Sequence, residues 1–294
     1  MMYILLGALS AFAEPYIAVL QSDSFVEYQT PTTSFLKNCT MKTKAYDIHG
    51  EKDLGLKRIS ELKKNKPKAI FAVGAKAAWL AQNELPNIPL VYTMVQDPDK
   101  FGLRSSKNIE IKMHPPKDLA VSQLQLFFPN IQHIAVFGSE TPTEEIKEYT
   151  KVMEDFGIKT TIFQSNDTRA LRKILTKLPD DIDAIWLPTD PTWLTPEKFY
   201  HINNTGIKKS IPTLSNSTYL AQAGAMLSVS SNHESIGVLG AEIVNQLVQG
   251  AESLHEQTHF TQETFVTLNR ETQKSIGLEF EPFMFDFIHQ QIEK

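Results

Sequence analysis

A run of small residues, Gly74-Ala75-Lys76-Ala77, follows an apolar stretch and begins a segment with helical spacing. Glycine and alanine let another molecule approach the backbone, and the N–H groups at a helix start attract an anion with help from the helix dipole. Lys76 would add a positive charge at the same place. The four residues therefore predict a site for a ligand carboxylate. The alternative is an ordinary strand-to-helix turn with a solvated lysine.

Polar side chains follow two other apolar runs in this half of the chain. Ser22 and Asp23 come after the first run, with Phe25 just beyond, and Gln96 and Asp97 come after a later one. A carboxylate at Asp23 is suited to a ligand amine, Phe25 to an apolar wall, and Gln96 and Asp97 to hydrogen bonds with a polar ligand. The alternatives are an N-cap for the next helix at Ser22 or Asp23 and an ordinary turn starting at Asp97.

The second half of the chain repeats this arrangement of polar residues after apolar runs. The residues are Ser139 and Glu140, then Thr189, Asp190 and Trp193, and finally Asn216, Ser217 and Tyr219. A tryptophan after a strand end is suited to stacking on a planar ligand or closing over it; the alternative is that Trp193 packs the surface of its lobe. For Ser139 and Glu140, the alternative is capping of the helix predicted from Thr143.

The sequence lacks the common catalytic and cofactor patterns. It contains no GxxxxGK[ST], no GxGxxG after a strand, no GxSxG and no HExxH, and its eight histidines have no zinc-ligand spacing. We therefore expect no catalytic residue, no metal and no cofactor. A net charge of -5 without a basic stripe argues against nucleic acid as a partner. The single cysteine, Cys39, excludes a disulfide within the chain, and we expect it near the end of a helix.

The elements that would position these residues alternate along the chain. Short apolar runs predict strands at residues 16–20, 69–73, 89–95, 131–137, 160–163, 184–187 and 211–214. Helical spacing predicts helices at residues 54–64, 75–84, 143–156, 168–178 and 234–249. Strand, helix and strand in repetition indicate parallel sheets, and ligands of such sheets bind beyond the carboxyl ends of the strands. The polar residues named above all lie there.

The series of strands and helices restarts once, which predicts two Rossmann-like α/β lobes. Chain crossings are expected near residues 111–118, 228–232 and 261, so that three hinge crossings join the lobes. We assign residues 14–114 and 231–258 to the N-terminal lobe. Residues 115–230 and 259–294 form the C-terminal lobe. The strand ends of both lobes are then expected to line the cleft between them.

The N-terminal segment has the pattern of an export signal. An apolar run at Ile4–Ala13 is too short to span a bilayer and ends in Ala11-Phe12-Ala13, the small-x-small pattern of a cleavage site. No Lys or Arg precedes the run, and a buried first strand is the alternative. We expect residues 1–13 to be a signal peptide and the protein to be periplasmic or otherwise extracytoplasmic.

Four segments resemble a known family in their residues and in their order. They are Ala72–Ala78 (AVGAKAA), Ile88–Pro98 (IPLVYTMVQDP), Gly224–Val229 (GAMLSV) with its continuation through Ile236–Ala241 and Leu247–Gly250, and Leu268–Leu278 (LNRETQKSIGL). The chain resembles the ABC-transporter substrate-binding proteins of the type I periplasmic-binding fold, in the group that contains tryptophan- and tyrosine-binding members. It departs from their pattern at Lys76, where many members have a small or hydroxyl residue. A second departure is Asp99–Leu103, which lacks the usual NvTG continuation.

The resemblance implies a monomer that is not an enzyme and that captures a small molecule in the interlobe cleft. The ligand would be an amino acid or another small carboxylated metabolite, and an ABC permease would receive it. The ligand would stabilise the closed form by touching both lobes. Two alternatives remain open from the residues: a periplasmic sensing module that presents its ligand to a receptor or kinase, and an α/β enzyme.

Overall fold

Thirteen strands and ten α-helices are found in the part of the chain that the computed structural model describes, residues 14–104, 107–190, 193–250 and 257–293. The predicted signal peptide, residues 1–13, lies outside these ranges. The strands are β1 (Ile17–Gln21), β2 (Thr43–Asp47), β3 (Ala69–Val73), β4 (Leu90–Thr93), β5 (Asn108–Ile111), β6 (His133–Gly138), β7 (Lys159–Gln164), β8 (Ala184–Leu187), β9 (Thr213–Ser215), β10 (Leu227–Ser231), β11 (Thr258–His259), β12 (Thr264–Asn269) and β13 (Gln290–Ile292).

The helices begin and end at residues that explain their bounds. They are α1 (Val26–Asn38), α2 (Lys52–Lys64), α3 (Ala75–Glu84), α4 (Lys117–Phe127), α5 (Glu144–Asp155), α6 (Thr168–Leu175), α7 (Pro196–Lys209), α8 (Thr218–Gln222), α9 (His233–Val248) and α10 (Arg270–Ile276), with 3₁₀ turns at Asp99–Phe101 and Pro282–Phe287. Thr143, Asp167, Thr195 and Asn269 cap α5, α6, α7 and α10 through their side-chain oxygens. Gly157, at φ +78°, stops the chain from continuing α5.

The chain divides into two compact units. Unit 1 comprises the chain up to Met113 together with His233–Phe260, and unit 2 comprises His114–Asn232 together with the chain from Thr261 onward. The chain therefore passes between the units three times. The crossings follow Met113, Asn232 and Phe260. The lobe boundaries expected from the sequence were residues 114, 230 and 258.

Unit 1 is built on a six-stranded sheet with the order β11-β5-β4-β3-β1-β2, in which all pairs are parallel. β1 and β3 are completely buried, and alternate side chains enter two different cores. Ala18 and Leu20 face the core formed with α2 and α3, whereas Ile17 and Val19 face the core formed with α1 and α9. Burial on both faces is the reason why these strands are continuous apolar runs.

Helix α9 packs closely on α1 and on strand β3 because two of its glycines have no side chain. A Cβ atom at Gly237 would lie 2.3 Å from the Pro31 carbonyl oxygen, and one at Gly240 would lie 2.5 Å from the Phe71 ring. The Phe71 ring also stacks on Phe35 of α1 with centroids 4.2 Å apart. α9 therefore closes one face of the unit 1 sheet, although it lies more than a hundred residues later in the chain than β5.

Unit 2 is built on a seven-stranded sheet with the order β13-β12-β10-β9-β8-β6-β7, in which only the β10–β12 pair is antiparallel. One core, with Trp186, lies under α4, α5 and α10, and a second, with Ile185 and Leu187, lies under α6, α7 and α8. The predicted fold class, two α/β lobes with largely parallel sheets, is confirmed.

The second expected crossing, near residues 228–232, overlaps a strand. Leu227–Ser231 is the buried strand β10, and the chain passes between the units directly after it, following Asn232. Of its three serines, Ser230 has hydrogen-bond partners on neighbouring elements. Its hydroxyl donates to the Phe265 carbonyl at 3.2 Å and lies 3.1 Å from the Thr218 hydroxyl. A serine with such partners is acceptable inside a sheet.

Candidate functional site

The end of β1 and the start of α3 are joined by Ser22. Its hydroxyl accepts a hydrogen bond from the Ala77 N–H at 2.9 Å, and the residue is 6% exposed. Gly74 permits this approach, because a Cβ atom there would lie 2.6 Å from the Ser22 oxygen and its φ is +91°. Ser22, which follows β1, thus caps helix α3, which follows β3. The hydroxyl of Ser22 therefore has a structural role, and its predicted contact with a ligand stays a prediction.

The start of α3 still offers hydrogen-bond donors to an anion. Within the described residues, the N–H groups of Ala75 and Lys76 make no hydrogen bond to the protein. The Lys76 ammonium bonds to the Gly50 carbonyl, which holds its charge beside this helix start. An ammonium has three donors, so this contact leaves others for a ligand. The geometry is compatible with the predicted carboxylate site at Gly74–Ala77.

A polar cluster lies at the ends of β1 and β2, and the sequence predicted only part of it. The Asp47 carboxylate accepts from Gln21 Nε2 at 3.0 Å and from the Ser24 hydroxyl at 2.8 Å. Ser24 Oγ also lies 2.9 Å from His49 Nδ1, and His49 has a left-handed φ of +46°. In a hydrolytic triad, serine and carboxylate bond to opposite imidazole nitrogens, whereas here the serine contacts both partners itself. The cluster is therefore a polar surface and not a nucleophile with its base.

Asp23 and Phe25 both face outward beside this cluster. Asp23 Oδ1 accepts from the Ser24 N–H at 2.7 Å, and α1 has Phe25 at its N-cap with no side-chain cap, so Asp23 is not the predicted alternative cap. Phe25 is 59% exposed and meets the edge of Tyr28 with centroids 5.9 Å apart. An exposed aromatic ring next to a carboxylate is consistent with an apolar wall and an amine contact.

After β4, Asp97 has a structural role. Its carboxylate accepts from the Lys100 N–H at 3.4 Å and pairs with the Lys100 ammonium at 3.1 Å, so it stabilises the 3₁₀ turn at Asp99–Phe101. This corresponds to the turn-starting alternative. The neighbouring Gln96 side chain is exposed. Between strand and turn, Met94 has a left-handed φ of +57°, which redirects the chain as it leaves the sheet.

In unit 2 the structure brings Thr189 and Asn216 together and adds Glu145. Asn216 Oδ1 accepts from the Thr189 N–H at 3.2 Å and from its hydroxyl at 2.8 Å, and Asn216 Nδ2 donates to Glu145 Oε1 at 2.7 Å. His114 Nε2 lies 3.8 Å from the same carboxylate oxygen. We name Thr189, Asn216, Glu145 and His114 the strand-end network of unit 2.

The carboxyl of Glu145 is unusual because its side chain is only 20% exposed. Burial raises the pKa of Glu145, and the negative charges of Asp190 and Glu148 raise it further. The Lys117 ammonium and the hydrogen bond from Asn216 act in the opposite direction without cancelling the effect on the pKa. The network therefore contains a carboxyl group that is protonated more readily than an ordinary glutamate.

Trp193 does not lie on the surface of unit 2. It is 4% exposed in the core with Phe199 and Leu171, its indole N–H donates to the Ser165 carbonyl, and the Lys198 ammonium lies 4.7 Å from its ring centroid. We correct the expectation that this ring stacks on a ligand. Asp190, also buried, accepts from the Trp193 N–H at 3.2 Å and holds the turn that leads to this core residue.

The remaining predicted residues of unit 2 have local contacts. The Ser139 hydroxyl donates to the Thr141 carbonyl at 2.7 Å, the Glu140 carbonyl accepts from Gln164, and Thr143 performs the capping of α5. The Ser217 N–H donates to Ser215 Oγ at 3.2 Å. Tyr219 is 66% exposed, so its ring remains available to a ligand.

Sequence reasoning missed Asp47, His49, His114 and Glu145. Glu145 was detectable in principle, because it lies in the first turn of a helix that follows a strand directly, as ligand-binding carboxylates often do. Asp47 and His49 were missed because β2 has the mixed sequence TKAYD and was not recognised as a strand. In the described residues, no three or more His, Cys, Asp or Glu side chains converge as metal ligands, and no helix has the length and apolar character of a membrane span.

Comparison with known proteins finds binding proteins among those similar to this chain. A tyrosine-binding protein from Clostridioides difficile strain R20291 is 20% identical over 232 residues, which are 75% of this chain and 66% of that protein, just under two thirds of its length. The ligand-free, open structure of a substrate binding protein with adhesive properties from Clostridium difficile is similar with a TM-score of 0.79 at 17% identity, covering 95% of this chain and 99% of that one.

A second solved structure carries a ligand. The ABC domain from Streptococcus pneumonia in complex with L-Trp has a TM-score of 0.61 at 17% identity and covers 94% of this chain and 100% of that one. Identities this low establish likeness of fold. Membership follows from residues 25–281, which match the family described as ABC transporter substrate binding protein, and the chain therefore belongs to that family.

Proposed function

We propose that this protein captures an amino acid or a similar small carboxylated metabolite outside the cytoplasm and delivers it to an ABC permease. The observation that carries the proposal is the family match over residues 25–281. The names of two similar proteins make tyrosine and tryptophan the first ligands to test. The protein acts as a binding protein without catalysis and as a monomer, and residues 1–13 direct its export.

The unit 1 strand ends contribute groups for an amino acid. The N–H groups of Ala75 and Lys76 and the Lys76 ammonium suit the ligand carboxylate, and Asp23 suits its amine. Phe25 suits an aromatic or aliphatic side chain, since 59% of its surface is exposed. These groups suit a carboxylate, an amine and an apolar side chain, which are the three features of such an α-amino acid.

The unit 2 strand ends carry side chains suited to hydrogen bonds with a ligand. Thr189 and Asn216 lie at the ends of β8 and β9, and Tyr219 follows one helical turn away. Side-chain amides and hydroxyls both donate and accept, which suits recognition of polar ligand atoms. Gln96, Ser217 and Glu140 are the further surface residues that we retain as candidate contacts.

The test is isothermal titration of the purified protein with L-tyrosine, L-tryptophan, the other amino acids and a panel of small carboxylates. We expect saturable binding of at least one compound at a ratio of one to one, together with a rise in melting temperature that grows with ligand concentration. Absence of both effects across the panel would contradict the proposal. Mass spectrometry of gently isolated protein provides an independent search for a ligand.

A matched pair of variants tests the predicted apolar wall. Phe25→Ala should weaken binding of an aromatic amino acid by about tenfold, because an aromatic contact is removed. Phe156→Ala is the control, since Phe156 is also exposed (37%) but lies at the far end of α5 from the strand ends. If both variants bound the aromatic amino acid with equal affinity, Phe25 would not be part of the ligand site.

Delivery is tested with the permease. In membrane vesicles, the protein with its ligand should stimulate ATP-dependent uptake, and the same protein without the family's permease should not. If the protein instead captured a receptor or kinase from membranes and did not stimulate uptake, its role would be sensing and not delivery.

A further inference from the structure

We propose that Glu145 is a positioning residue of the ligand site: its ionised carboxylate fixes the orientation of the Asn216 amide and, through it, of Thr189. Glu145 itself need not touch the ligand. The inference rests on the proposed function only in assigning Asn216 and Thr189 to ligand binding, and the geometry within unit 2 carries the rest.

The two ends of the Asn216 amide have partners of fixed polarity. The Thr189 backbone N–H can only donate, so it must face Asn216 Oδ1. An ionised carboxylate can only accept, so Glu145 Oε1 must face Asn216 Nδ2. The two contacts demand the same orientation of the amide. Asn216 is 1% exposed, and the protein itself therefore decides this orientation.

The contacts join three separate elements. Glu145 lies in the first turn of α5, Thr189 follows β8, and Asn216 follows β9. A single side chain, Asn216, bridges the other two with hydrogen bonds of 2.7 to 3.2 Å. Loss of the Glu145 contact would therefore free the end of β9 from α5 while the strands themselves stay in place.

Protonation is the change to which this arrangement is sensitive. A neutral carboxyl group is a weaker acceptor than a carboxylate, so protonation weakens the hydrogen bond from Asn216 Nδ2 and leaves the Thr189 contacts alone to hold the amide. Five titratable groups face or adjoin Glu145: His114 before α4, Lys117 on α4, Tyr149 and Glu148 on α5, and Asp190 after β8. Burial, Asp190 and Glu148 raise the pKa of Glu145, so the proton is bound above the ordinary range for glutamate.

The first experiment needs no ligand. NMR would follow the Asn216 side-chain amide and the Glu145 carboxyl carbon in the full-length protein during a pH titration, with Asn216 assigned from Asn216→Ser. We expect both signals to share one midpoint in the wild type. In Glu145→Gln the Asn216 transition should disappear. In Glu144→Gln it should persist, since Glu144 is the preceding residue in the same helical turn and is 75% exposed.

Different midpoints for the two wild-type signals, or an Asn216 transition that survives in Glu145→Gln, would overturn the proposal. The first of these outcomes is read in the wild-type protein and decides the question even if a variant does not fold.

The second experiment uses L-tyrosine and L-tryptophan as probes in titrations from pH 4.5 to 7.5. Wild-type affinity should fall about tenfold as Glu145 becomes protonated, the effect of losing one hydrogen bond to a charged group. Glu145→Gln should bind with no such pH dependence, and Glu144→Gln should behave like the wild type. A wild-type pH profile in Glu145→Gln would overturn the role in binding. If neither amino acid binds, the proposed function fails for these ligands, while the amide titration still decides the role of Glu145.

Discussion

At the scale of single residues, Ser22 performs a function that normally belongs to the residue just before a helix. α3 has Gly74 at its N-cap, which has no side chain to accept a hydrogen bond. Ser22 provides the missing oxygen from a neighbouring strand, and the left-handed φ of Gly74 makes room for it. One serine thereby fixes the position of the helix start at which we propose that a carboxylate binds.

Replacing Ser22 should therefore cost stability. Ser22→Ala leaves the buried Ala77 N–H without an acceptor, and we expect the free energy of unfolding to fall by about 1–2 kcal/mol in urea titrations. Ser24→Ala is the control, because Ser24 is exposed and its loss should change stability by less than about 0.5 kcal/mol. Equal effects of the two substitutions would show that the cap contributes little.

Glu145 should give the protein a characteristic dependence of stability on pH. Because the pKa of Glu145 is raised in the folded state, the folded protein binds more protons than the unfolded chain between the ordinary glutamate pKa and that of Glu145. The contribution of Glu145 to the free energy of unfolding therefore falls as the pH rises through that window. Glutamine has no proton to lose, so the difference in unfolding free energy between Glu145→Gln and the wild type should grow in favour of the variant over the same window.

Thermal or urea unfolding at a series of pH values measures this difference, with Glu144→Gln as the control. Titrating groups that do not interact with Glu145 are common to the two proteins, so their contributions cancel. A difference that is independent of pH, or that grows in favour of the wild type as the pH rises, would contradict a raised pKa at Glu145.

At the scale of elements, the sequence revealed those strands that are buried on both faces. β1, β3 and β8 are continuous apolar runs and were located within a residue or two. β2 was missed because it lies at a sheet edge, where exposure permits the polar sequence TKAYD. Residues 228–232 were expected to contain a crossing, and β10 was not recognised as a strand because three of its five residues are serines.

The candidate site was predictable to the same limited degree. Thr189 and Asn216 were found because they follow strands directly, and the structure brings them together. Ser22 and Trp193 satisfy the same rule, yet their side chains point into the protein, which depends on tertiary contacts that no local pattern contains. Glu145 was missed for a related reason, since its importance comes from Asn216, seventy-one residues later.

The contact between α1 and α9 offers a direct test at this scale. Gly237→Ala would place a methyl group 2.3 Å from the Pro31 carbonyl oxygen, so the helices must separate. Alanine normally improves a helix by about 1 kcal/mol relative to glycine, yet here we expect a net loss of about 1–3 kcal/mol. Glu242→Ala, an exposed position on α9, should have little effect. A more stable Gly237→Ala protein would contradict the close packing.

At the scale of the whole molecule, each unit is assembled from separate stretches of chain. Unit 1 needs His233–Phe260, because α9 covers the face of its sheet that contains Val19 and Phe71, and β11 pairs with β5. Without this stretch, residues 14–113 would lose α9, which together with α1 covers one of their two cores. Domains are only marginally stable, so losing the apolar burial that α9 provides is expected to unfold residues 14–113.

Residues 14–113 produced alone should therefore fail to fold, and the same residues joined through a flexible linker to residues 233–260 should fold. Dispersed amide signals in NMR and a cooperative urea transition would distinguish the two proteins. The joined protein restores α9 and β11 without unit 2, so its folding would show that unit 1 carries its complete core. Cooperative unfolding of residues 14–113 alone would mean that α1 to α3 suffice, and that the later stretch adds stability to a core already formed.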